Sequence, residues 1–206
     1  MLVQLLIIAL SYAISSLWEN YVHWKILHSN KTNRKKWRRL GYLGLLLRRA
    51  YFSHNIIHHK NTFKENYFEQ FKTRKEQIAL NKKLPASLRE KIINNRYGLT
   101  ISSSWEIFTF VAPPLVLNTL LFFNLSSALT VTIFFTISIL PAILSKYIHP
   151  SLHEESVMLP TNTNLWTRYK KYIAKCHKIH HEKILKNFNL LPGGDFIVGT
   201  YEKPDD

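Results

Sequence analysis

The segment IFTFVAPPLVLNTLLFFNLSSALTVTIFFTISILPAILS, Ile107–Ser145, contains no charged residue and is too long for a single helix. A bilayer core about 30 Å thick takes about 20 apolar residues per helical crossing. Asn124 sits near the middle of the run and predicts a hairpin: Ile107–Phe123 crosses, the chain turns at Asn124, and Leu125–Ser145 returns. Pro113, Pro114 and Pro141 are expected to kink or thin these helices, which membrane helices tolerate where neighbours satisfy the freed carbonyls.

A second uncharged run, Leu2–Trp18, precedes it. As a helix it extends roughly 25 Å, at the short end of a crossing. No Lys or Arg comes before it and no clear small-residue cleavage site follows. That favours a retained membrane helix over a cleaved signal peptide. The expected fold is therefore all-α, a single membrane domain over 1–206 with three spans at 2–18, 107–123 and 125–145.

The net charge of +15 is segregated: of 28 Lys and Arg, 19 lie between Glu19 and Ser104 and 9 from Lys146 onward. Basic segments flanking apolar spans follow the positive-inside rule, so 19–104 and 146–206 are predicted to form a helical cap on the cytoplasmic face. Nucleic-acid binding, the other reading of such charge, finds no stacking platform or zinc finger here. Leu40–Leu47, apolar between basic flanks, suits either an element at the lipid headgroups or a helix of the cap core. Residues 60–104 are polar and helix-compatible, with a break at Pro85. One cysteine, Cys176, rules out an internal disulfide and a thiolate-rich metal site.

The chemistry falls to ten histidines in four groups: His23 and His28; His54, His58 and His59; His149 and His153; His177, His180 and His181. Residues three or four apart share a helix face, so His54 with His58, His149 with His153, and His177 with His180 and His181 are each expected to converge. His23 and His28, five apart, fall about 140° from one another on an ideal helix, so one of them must sit at a helix end or distortion. Neutral imidazole suits zinc, copper, iron and nickel. Ten exceed what one ion holds, whereas two ions could share them at about five each. A pH sensor would not demand these repeated spacings. Glu154, Glu155, Glu182 and Glu19 lie near the boxes, either as solvent-facing charge or as partners orienting an imidazole through its second nitrogen.

The boxes read H-x4-H, H-x3-HH, H-x3-H and H-x2-HH, with a membrane hairpin between the second and third. In this pattern the chain resembles the fatty acid hydroxylase and sterol desaturase superfamily of membrane di-iron enzymes. His58-His59-Lys60-Asn61-Thr62-Phe63, Asn187-Phe188 and the tail Asp195-Phe196-Ile197-Val198-Gly199-Thr200 are similar to further stretches of that family, while Asn189 departs from a frequent glycine. The resemblance implies that all ten histidines ligate two iron ions, with O2 as co-substrate and zinc a possible replacement in purified protein. It also implies hydrogen removal from an unactivated carbon of a membrane lipid, giving an alcohol or a double bond. With no cytochrome b5-like domain in the chain, the implied electron donor is separate: a cytochrome b5-like protein, a ferredoxin or a reductase.

The expected function is a lipid hydroxylase, with desaturase and carotenoid hydroxylase as rivals on the same site. A metal transporter or zinc-stabilised scaffold is the alternative from another class. Transport predicts ionisable groups within the spans, and the predicted spans carry no charge.

Overall fold

The computed structural model describes residues 1–101, 104–159 and 164–205; the parts of the two basic segments at 102–103, 160–163 and 206 lie outside the described residues. Every regular element among the described residues is helical. The α-helices are α1 (Leu2–Tyr21), α2 (Lys31–Trp37), α3 (Gly41–Tyr51), α4 (His59–Asn61), α5 (Arg74–Lys83), α6 (Ala86–Asn94), α7 (Ser104–Phe122), α8 (Ala128–Ile143), α9 (His149–Leu152), α10 (Leu165–Glu182) and α11 (Gly194–Val198). Three wider π-helical segments follow α1, α3 and α8 directly: Val22–Leu27, Phe52–His58 and Leu144–Ile148.

Three continuous helical stretches, Leu2–Leu27, Ser104–Leu125 and Ala128–Leu152, are long and apolar enough to cross a membrane. The hairpin turn falls at Asn124, inside a short 3-10 turn at Phe123–Leu125. The first and third stretches outrun the expected spans because the helix does not stop where charge begins. Each carries on through a π segment into a histidine box, so His23 and His149 stand on the spanning helices themselves.

Polar side-chain bonds tie the three helices together. At one end Gln4 grips the hairpin turn, its Nε2 donating to Leu125 O (3.0 Å) and its Oε1 accepting from Ser127 N (3.2 Å). Midway, Asn118 Nδ2 donates to Ser138 Oγ (3.0 Å) between α7 and α8. Pro113 has no N–H for Thr109 O, four residues earlier, and Trp18 Nε1 of α1 donates to that carbonyl instead (2.9 Å). The proline thus opens a docking point between helices.

Beyond the bundle, α5 and α6 are separated at Pro85 as expected. They close over the second π segment through a core of Ile57, Leu84, Ile92 and Tyr97. Helix α10 packs Ile173 and Ala174 against Leu144, Leu152, Leu190 and Leu191. Helix α3 leaves Tyr42 and Leu43 exposed beside its basic flank.

Candidate metal centre

The π segments set the histidine geometry. A π turn closes an i→i+5 hydrogen bond, so residues five apart return to one face. His28 N donates to His23 O (3.0 Å), and the two rings stack 5.1 Å apart at 14°. The awkward five-residue spacing of the first box is resolved by this distortion together with the helix end at His28.

The same turn re-sorts the second box. His54 Nε2 meets His59 Nε2 at 3.1 Å, five residues on, while His58 turns to His181 Nε2, also at 3.1 Å. The ligand nitrogens fall into two groups, each with all its nitrogens within 4.8 Å of one another: His23, His28, His54, His59 and His180 in one, His58, His153, His177 and His181 in the other. His149 adjoins the second, its Nε2 2.9 Å from His177 Nε2. Two expected pairings are therefore corrected. His54 and His58 part because the segment is π rather than α, and His180 parts from His177 because its Nε2 turns to His28 Nε2 (3.0 Å) while His177 groups with His181.

Tautomers follow from the second ring nitrogens. Nδ1 donates to a backbone carbonyl in His23 (Phe188 O, 2.6 Å), His149 (Leu99 O, 2.7 Å), His153 (Tyr67 O, 2.9 Å) and His180 (Lys186 O, 2.8 Å). In His28 it meets Asn55 Oδ1 at 3.0 Å. A carbonyl only accepts, so these Nδ1 atoms carry the proton and each neutral ring turns a bare lone pair inward at Nε2. His28 and His180 do so towards each other, Nε2 to Nε2 at 3.0 Å, with no proton to share.

Burial keeps the rings neutral. It draws His28 down to about 4 and His153 to about 3, each from an ordinary value of 6.5. His54, His58, His59, His177, His180 and His181 are held well below that value, first by loss of water and then by neighbouring imidazoles. Facing lone pairs in a dry site repel unless a cation lies between them. Nitrogens bound to one ion at about 2.1 Å stand at most about 4.2 Å apart, close to the spread within each group. The residues therefore fit two metal ions, and an all-imidazole donor set suits iron, zinc, copper or nickel.

The carboxylates do not orient these rings. Glu154, Glu155 and Glu182 are exposed. Glu19 is buried, but its oxygens accept from Leu190 N (3.0 Å) and Leu191 N (2.8 Å). The orienting groups are main-chain carbonyls and, for His28, the Asn55 amide oxygen, and buried Asp195 braces the backbone of Phe188, whose carbonyl holds His23. Asp195 Oδ1 accepts from Phe188 N (2.9 Å), Asn20 Nδ2 (2.9 Å) and Thr200 Oγ1 (2.6 Å), and its Oδ2 accepts from Asn189 N (2.8 Å). Asn20 lies outside the residues that the sequence marks, and Asp195 is marked there only as the start of the tail stretch that resembles the family. The available signal was a polar Glu19-Asn20 pair ending an apolar helix just before a histidine box.

A small pocket, about 70 Å³ of space beside the histidine groups, is lined by residues of both the spanning helices and the boxes. Trp105, Phe110, Ile101 and Ile26 line its apolar side, and His23, His54, His149 and His177 line its inner wall, two imidazoles from each side of the centre.

Comparison of the chain with protein-family models, with curated proteins and with solved structures gave no match.

Proposed function

We propose that the protein is a membrane-bound dimetal oxidoreductase of the fatty acid hydroxylase and sterol desaturase type, which hydroxylates a lipid chain at the cytoplasmic face. The observation that carries this reading is the inward convergence of buried, neutral Nε2 atoms at the end of a pocket with apolar walls. His23, His28, His54, His59 and His180 would hold one iron, and His58, His149, His153, His177 and His181 the other. Bound iron would supply dioxygen activation and hydrogen abstraction from an unactivated carbon.

The chain's own residues supply position and dryness. Carbonyls of Leu99, Tyr67, Lys186 and Phe188 fix the imidazole planes and leave each Nε2 free as a ligand. Val22, Ile26, Ile101 and Phe110 would receive an apolar chain at the pocket. Electrons would come from a separate donor protein.

Lipid extracts of cells expressing the protein test the reading by mass spectrometry. A lipid one oxygen heavier, absent with His58→Ala, supports hydroxylation. A product two hydrogens lighter assigns the same site to desaturation, and no new lipid in the presence of bound metal refutes lipid oxidation.

A further inference from the structure

The residues between the last histidine box and the tail make an unusual set of hydrogen bonds. Each N–H from Phe188 to Leu191 is taken by a buried carboxylate: Asp195 accepts from 188 and 189, Glu19 from 190 and 191. Pro192 has no N–H, and Gly194 N donates to Ser16 Oγ (2.7 Å). The carbonyls are served in the same way: Tyr169 Oη donates to Leu190 O, Ser16 Oγ to Leu191 O and Tyr12 Oη to Pro192 O, each at 2.7 Å. Irregular backbone normally leaves such groups to water. Here side chains replace water, the condition under which non-helical chain is tolerated at membrane depth.

The location agrees. Gln4 marks the end of α1 that meets the hairpin turn, and Ser16 lies twelve residues further along. At 1.5 Å per residue that is about 18 Å, leaving about 12 Å of a hydrocarbon core about 30 Å thick beyond Ser16. Gly194 rests against Ser16 so closely that an added Cβ would lie 2.5 Å from Ser16 O. Helix α11 starts there and turns Phe196, Ile197 and Val198 outward, 56%, 62% and 40% exposed. The chain then reverses at Gly199 (φ 78°), and Glu202 pairs with Lys183.

We infer that Leu190–Val198 is a re-entrant segment, dipping into the leaflet nearest the metal centre with Phe196, Ile197 and Val198 against lipid acyl chains. The inference rests on the membrane placement of the three long helices, though not on the metal chemistry. It removes this stretch from the cytoplasmic cap expected over 146–206. It also gives Glu19 and Asp195 a role, as acceptors for backbone that water cannot reach.

Single-cysteine variants in lipid nanodiscs test it, using a membrane-impermeant maleimide; the native Cys176 is buried at 5% exposure and serves as background. Lys75→Cys on α5 reports water, and Leu120→Cys, at a 78% exposed position of α7, reports lipid. Ile197→Cys should react at least about tenfold slower than Lys75→Cys, as Leu120→Cys does, because a thiol in hydrocarbon is screened from a polar reagent. A permeant fluorophore at position 197 should also be quenched by spin labels on lipid acyl chains. Fast labelling of Ile197→Cys beside a protected Leu120→Cys overturns the inference alone, as does protection without quenching. Fast labelling of Leu120→Cys overturns the membrane reading as well.

Discussion

His58 and His59 are adjacent in the chain and belong to different histidine groups: His58 Nε2 lies 3.1 Å from His181 Nε2, and His59 Nε2 lies 3.1 Å from His54 Nε2. His180 and His181 divide in the same manner. The two double-histidine motifs thus straddle the centre, and the ring centroids of His59 and His181 approach to 4.2 Å across it. Single substitutions should consequently remove ions selectively. His59→Ala is expected to lose the ion of its five-histidine group and keep the other, and His58→Ala the reverse. Metal analysis of each variant, and of the double variant, checks this; loss of both ions from either single change would mean one indivisible cluster.

Asp195→Ala should weaken the first group through Phe188. Without the carboxylate, the N–H groups of Phe188 and Asn189 lose their buried acceptor, while the Asn20 amide keeps Asn189 Oδ1 and Thr200 Oγ1. Each unsatisfied group costs about 1–3 kcal/mol. Affinity for the ion near His23 should fall about 10–100-fold, the usual consequence of freeing an orienting partner. Metal titration by calorimetry, compared with Thr200→Val as the milder change, measures it.

Gly98→Ala tests the second group from the opposite side. Gly98 has φ 85°, and an added Cβ would lie 2.4 Å from Ser53 O. The substitution should cost about 2 kcal/mol or more, since both strain and a backbone clash must be relieved. It should also loosen Leu99 O, the acceptor for His149. Thermal unfolding and metal content together report the result.

Stability of the metal-free protein should depend on pH with a definite sign. His28 is held at about 4 and His153 at about 3, against 6.5 when unfolded. Below about 6.5 the unfolded chain takes up protons that the folded chain refuses, so stability is full above that pH and declines as pH falls towards 4 and then 3. Melting of chelator-treated protein in detergent should therefore shift to lower temperature between pH 7.5 and pH 4.5, values chosen to bracket this window. A flat profile would contradict the burial of these rings in the metal-free state.

The pocket can be separated from the metal. Ala50 lines it without being one of the grouped imidazoles, so Ala50→Trp should abolish lipid oxidation while both ions stay bound. Overpacking costs typically about 1–3 kcal/mol, which the stability of the variant will show. Retained product formation would place the substrate path elsewhere.

The helical character, the turn at Asn124 and the identity of the candidate ligands are legible in the sequence, because uncharged runs and clustered histidines are local signals. The ends of the helices are not: α1 runs on through Val22–Leu27 because backbone hydrogen bonding continues where side-chain hydrophobicity stops. Nor is the partition of ligands, since an ideal α-helix pairs His54 with His58, and only the π turn at Phe52–His58 pairs it with His59. The bracing by Asp195 and Glu19 joins residues more than 165 positions apart to α1, which no local pattern encodes.

On the proposed reading, Nε2 atoms facing one another without a proton, as in His28 and His180 at 3.0 Å, are held together by metal. Metal content of protein purified from membranes in detergent measures it directly. Two ions per chain are expected, with one lost in His180→Ala. Wild-type protein that stays folded with no bound metal, and binds none when iron or zinc is offered, would contradict it.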